Sequence, residues 1–138
     1  MGMAGAVMGK TVVAGGLLFA LVATPALGAD VDWSHAKQVN EITTEYKFVP
    51  AHLSFKAGTA YRLHIVNRGK ETHEFHAPEF FAAMTLRDAS SLNADRTEIV
   101  IQPGHDKDLY FVASKPGKYP LICSDHDWAG MTGEIIVK

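Results

Sequence analysis

The sequence predicts an all-β protein, a Greek-key β-sandwich with a short helical insertion around residues 78–95. Three observations carry that prediction. Residues 60–67 alternate, with Tyr61, Leu63 and Ile65 on one side and Arg62 and His64 on the other, which is the period of a half-buried strand. Six further short runs have strand character: 39–46, 53–56, 98–101, 109–113, 118–123 and 134–138. Turn signals separate these runs at Ala57-Gly58, Asn67-Arg68-Gly69, Pro103-Gly104 and Pro116-Gly117. Seven short strands at that spacing suggest an antiparallel sandwich.

Along the chain, residues 1–29 stand apart. They contain one charge, Lys10, and an apolar run of 13 residues from Thr11 to Ala23, followed by Pro25 and the small-residue exit Ala26-Leu27-Gly28-Ala29. A positive start, a short apolar core and small residues at the exit make a secretory signal peptide. A spanning helix needs roughly 20 apolar residues, more than this run supplies. Cleavage is expected before Ala29 or Asp30. Residues 1–29 are therefore read as a removed leader and 30–138 as one domain with no membrane insertion. The expected destination is the periplasm, through a Sec-type route.

After the strand at 60–67, Pro78-Glu79 ahead of Phe80-Phe81-Ala82-Ala83-Met84 reads as a helix start with proline in the first turn. Phe80, Phe81 and Met84 are expected to pack rather than to hold a cofactor.

Composition narrows the function. The 138 residues carry 13 Lys+Arg against 15 Asp+Glu, a net charge of −2. Without Lys10 the remaining part stands at −3. No basic surplus points to nucleic acid. One cysteine excludes an intramolecular disulfide. In an oxidising compartment a lone thiol is exposed to oxidation. It is therefore a buried inert group, an intermolecular bridge or a metal ligand.

The local sequence favours the metal. Cys123-Ser-Asp-His126-Asp-Trp-Ala-Gly-Met131 places three donors in nine residues, between the strands at 118–123 and 134–138. Thiolate and thioether are soft donors and imidazole is borderline. Two His, one Cys and a weakly held Met make the trigonal site of electron-transfer copper. A second histidine must come from elsewhere, and His73 and His76 are the candidates. On an extended segment they point to opposite faces, so one of them serves. Zinc seldom takes a thioether, so Met131 argues against it. The plainer readings are a core cysteine and a core methionine. His35, His52, His64 and His105 are scattered and read as surface or hydrogen-bonded residues.

The chain resembles the cupredoxin family of type 1 blue-copper proteins. The resemblance rests on Tyr119-Pro-Leu-Ile-Cys123-Ser-Asp-His126-Asp-Trp-Ala-Gly-Met131-Thr-Gly133, which has plastocyanin and pseudoazurin spacing. Phe48-Val-Pro50, Leu53-x-Phe55-x-Ala57-Gly58, Asn67-x-Gly69 and His73-Glu-Phe75 support it. It implies His73, Cys123, His126 and Met131 as ligands of one copper ion per chain. It also implies one-electron transport, with His126 as the exit. The chain departs from the family at Glu74, where an Asn often ties the ligand loops together. Ser124 is expected to bond across to it, or Glu74 to pair with His76. Asp125 and Asp127 flank His126, where apolar residues are common, and this acidic rim favours a basic partner.

The reading is a monomeric periplasmic electron carrier, not an enzyme. Its partner is a redox protein such as a cytochrome or a copper enzyme, or a copper-handling protein. The alternative is copper tolerance or delivery.

Overall fold

The computed structural model describes residues 31–138, together with residues 1–3 and 5. The expected leader, 1–29, lies almost wholly outside the described residues. No helix among those described is long and apolar enough to cross a membrane.

The fold is a sandwich of two five-stranded sheets. Its strands are β1 (Lys37–Thr44), β2 (Lys47–Val49), β3 (His52–Phe55), β4 (Ala60–Asn67), β5 (His73–His76), β6 (Met84–Leu86), β7 (Glu98–Ile101), β8 (Asp106–Ala113), β9 (Gly117–Ile122) and β10 (Thr132–Val137). One sheet runs β2-β1-β4-β8-β6 and the other β3-β10-β9-β5-β7. The alternation at 60–67 is realised in β4, whose buried residues Tyr61, Leu63, Ile65 and Asn67 face inward.

The sheets are mixed rather than purely antiparallel. β1 runs parallel to β4, from Lys37↔Tyr61 to Thr43↔Asn67, and β10 runs parallel to β3, from Glu134↔His52 to Val137↔Phe55. A period of two fixes which face a residue takes but not which strand lies beside it. Long connections here bring co-directional strands together.

Residues 78–95 differ from expectation. The helix α1 covers only Pro78–Ala82. The chain then returns to the sheet as β6, paired antiparallel with β8 from Met84↔Ala113 to Leu86↔Phe111. Asn93 closes the following turn, its Oδ1 accepting from the amides of Thr97 and Glu98. Phe80 and Phe81 are buried as packing residues, whereas Met84 sits on β6 rather than on the helix.

The core is an aromatic cluster. Phe55 stacks on Phe80 at 5.7 Å and meets Tyr61 and Phe111 edge-on at 4.9 and 5.0 Å, the offset and edge geometries that aromatic quadrupoles favour. Gly133 allows β10 to reach β3. A Cβ there would stand 2.5 Å from the Ala51 carbonyl oxygen, the same oxygen that accepts from the Glu134 amide.

Candidate metal centre

His73 opens β5, a strand that the sequence concealed. All of its first three residues are buried, so no alternation marks it. β5 lies against β9 through the pair His76↔Ile122. The residue after that pair, Cys123, therefore arrives beside His73 and Glu74. The Glu74 amide donates to Cys123 Sγ at 3.4 Å.

From Cys123 the chain folds back on itself. The Cys123 amide donates to the Met131 carbonyl at 3.0 Å, and the amides of His126, Ala129 and Met131 donate to carbonyls within the same loop. A 3₁₀ turn at Asp127–Ala129 ends on Gly130, whose φ of +79° suits a residue without a Cβ. Both ends of the loop are thereby held by backbone hydrogen bonds.

The loop brings three donor side chains together. Nδ1 of His126 lies 3.4 Å from Cys123 Sγ and Nδ1 of His73 lies 3.9 Å from it. Ligand atoms of His73, Cys123 and His126 all lie within 4.8 Å of one another. The thiol and the His73 side chain are fully buried. With bonds of about 2.0 Å to imidazole and about 2.3 Å to thiolate in a trigonal plane, an ion would need N···S separations of about 3.7 Å. The observed pair brackets that value, so the thiol and the two imidazoles suit a first-row metal ion. Met131 is also fully buried and closes the loop under the thiol's own amide.

His76 stays outside this cluster. Its Nδ1 lies 3.3 Å from Glu98 Oε2, so it pairs with Glu98 and not with Glu74. Ser124 also turns to Glu98, donating at 2.9 Å. The tie between the two ligand loops is instead made by Glu74 itself, whose Oε2 accepts from the Asp125 amide at 3.4 Å and from the Cys123 thiol at 3.1 Å. A carboxylate thus spans a gap that Ser124 was expected to bridge, because its longer side chain reaches the backbone of the loop directly.

Burial pushes the Cys123 thiol up to about 11, and the Glu74 carboxyl adds to that. A metal must displace its proton on binding. Burial, and then the neighbouring His126, lowers His73, leaving it neutral and ready to donate a lone pair.

Two acidic residues that sequence reasoning missed face the outer nitrogens of the histidines. Glu71 Oε2 accepts from His126 Nε2 at 2.7 Å, and Tyr46 Oη donates to Glu71 Oε1 at 3.1 Å. Glu45 Oε1 lies 3.6 Å from His73 Nε2, which is buried with no hydrogen-bond partner. Glu71 is 55 positions from His126 in sequence, and no motif spacing connects them. The Tyr46 ring packs on the His126 ring at 4.8 Å, and Trp128, 76% exposed, leans on Tyr46 at 5.9 Å. Asp125 and Asp127 are exposed.

The other histidines remain apart from the cluster. A second group, His64 with Asp106 and Asp108, also brings three donors together. There the Asp108 carboxylate is forked by Arg62 at 3.0 and 2.9 Å, so a guanidinium already occupies the place of a cation.

Comparison with known proteins agrees with the fold. The sequence matches the cupredoxin-like domain family over residues 11–137. A search of curated protein sequences returns no significant match. Among solved structures, auracyanin B is similar at 25% identity and a TM-score of 0.55, over 75% of this chain and 89% of that one. Auracyanin A, a "blue" copper protein of Chloroflexus aurantiacus, is similar at 16% identity and a TM-score of 0.53, over 73% of this chain and 98% of that one. A chain of a heme-copper terminal oxidase dimer is similar at 15% identity and a TM-score of 0.52, over 76% of this chain and 67% of that one. The last two show a shared fold alone.

Proposed function

The chain belongs to the cupredoxin-like family, and from that premise we propose that it is a type 1 copper protein that carries one electron. The observation that carries the reading is the buried Cys123 thiol faced by Nδ1 of both His73 and His126. In this reading His73, Cys123 and His126 would hold one copper ion, with Met131 as a weak fourth donor. The ion supplies a Cu(II)/Cu(I) couple. The chain's part is to hold the donors fixed. His73 is set by β5, Cys123 by the end of β9, and His126 and Met131 by a loop closed with its own hydrogen bonds. A donor set that does not move between oxidation states keeps the rearrangement on electron transfer small. Burial of the thiolate excludes water and oxidants from the sulfur.

The leader-like sequence of residues 1–29 supports export to the periplasm, where a cytochrome or a copper enzyme would serve as redox partner. The protein acts there as a monomeric carrier rather than as an enzyme.

Copper-loaded protein is expected to show an intense thiolate-to-copper band in the visible, bleached by reductant and absent from Cys123→Ser. A colourless oxidised protein would overturn the reading.

A second reading, copper tolerance or delivery, draws on the closed surface over His126. That residue is only 9% exposed, and Glu71 and Tyr46 cover its ring. Slow electron self-exchange together with fast copper release to an acceptor would favour delivery over electron transport.

A further inference from the structure

Each histidine of the cluster turns Nδ1 inward, toward the thiol, and Nε2 outward. At both outer nitrogens stands a carboxylate, Glu71 at 2.7 Å from His126 and Glu45 at 3.6 Å from His73. The two acids form one assembly. Glu45 Oε1 accepts from the backbone amides of Lys70 and Glu71, so it fastens the loop that carries Glu71. Tyr46 holds the remaining oxygen of Glu71. Neither acid touches the donor atoms themselves.

We propose that Glu71 and Glu45 are positioning residues that fix the two histidines as Nδ1 donors and bias the centre toward Cu(II). This inference rests on the type 1 copper reading above. An imidazole that gives Nδ1 to a metal must carry its proton on Nε2. A carboxylate facing that proton selects the tautomer, holds the ring plane and makes the ligand more electron-rich. Negative charge behind both rings also favours the more highly charged ion. The result is a lower reduction potential, with Cu(II) binding strengthened more than Cu(I) binding. A loop clamp with no electronic role would stabilise both oxidation states alike.

The test separates charge from clamping. Glu71→Gln keeps an acceptor of the same length and removes the charge, and Glu45→Gln does the same behind His73. Asp32→Asn, beside Ala60 at the start of β4 and so away from the Asn67 end, removes an equal charge as a control. Reduction potentials and the dissociation constants of Cu(II) and Cu(I) are measured for each. Glu71→Gln is expected to raise the potential and to weaken Cu(II) binding relative to Cu(I) by about tenfold or more. Glu45→Gln should change both in the same direction but less, because its contact is longer. If both variants match Asp32→Asn in potential and in affinity ratio, the inference is overturned while the type 1 reading stands. A wild-type protein that stays colourless with copper overturns both.

Discussion

Asn67 and Glu41 are polar residues buried on the inner face of the same sheet, one at the end of β4 and one within β1. Asn67 uses its whole amide. Nδ2 donates to the carbonyls of Glu71 and Ile101 at 2.7 and 2.8 Å, and Oδ1 accepts from the Gly69 amide at 2.8 Å. Neither oxygen of Glu41 is satisfied by a well-formed hydrogen bond, the Val49 backbone giving it only a weak interaction, and its neighbour on that face, Thr43, has no partner for its hydroxyl. The difference follows from place. The end of the sandwich is crossed by loops whose free amides and carbonyls can turn toward a side chain. Mid-strand backbone groups are already spent on the sheet ladder. Polar burial at the metal-site end therefore builds a framework, whereas the same burial within β1 is a net cost.

The largest effect expected from this contrast is on pH. Burial raises the Glu41 carboxyl from 4.5 to about 8, so the folded chain keeps a proton that the unfolded chain gives up. Its contribution is fully present below about pH 4.5 and is lost as pH rises through about 8, on the order of 4 kcal/mol over that window. Denaturant melts at pH 5 and pH 8.5 should show a much smaller difference for Glu41→Gln than for wild type. Equal slopes in the two proteins would contradict the assignment.

Glu41→Met fills the same space without a group to ionise. It is expected to raise the unfolding free energy at pH 7 by about 3 kcal/mol and to leave the visible band of the copper-loaded protein in place. Asn67→Leu makes the opposite change, at the strand end where the loops cross. With three hydrogen bonds gone, it should cost about 2–3 kcal/mol in chemical denaturation and loosen the loop that presents Glu71. If Asn67→Leu proves neutral, the contrast between the strand end and the mid-strand position does not hold. The smallest change is Thr43→Val, which removes an unpartnered hydroxyl. A gain of less than about 1 kcal/mol is expected, readable as a small upward shift in melting temperature.

Much of the candidate site was legible because most of its donor side chains are close in sequence. Cys123, His126 and Met131 sit in one loop, and donor chemistry alone pointed to copper. The strand pattern at 60–67 was equally plain. β5 was not, since a strand buried on both sides has no alternation to read. Nor was β6, where Met84 and Leu86 continue an apolar stretch that also suits a helix. Glu45 and Glu71 could not be placed against the histidines, because their contacts depend on how two loops from different sheets meet. Glu41 was hidden for another reason. Val39, Glu41 and Thr43 share one face, Asn40, Ile42 and Thr44 the other, and neither is clearly apolar, so the pattern does not say which face turns inward.

The position of β10 has a consequence for how the site is made. Although it is the last strand described, it lies in the interior of its sheet, between β3 and β9. Until β10 is added, β3 lacks a partner and β9 has an open edge. Three of the proposed copper donors, Cys123, His126 and Met131, lie just before it in the sequence. A growing chain therefore completes the proposed donor set only late in synthesis. Sheet closure and completion of the proposed donor set fall within the same short stretch of polypeptide, and a chain cut before Thr132 keeps the four proposed donors but loses the strand that joins β3 to β9.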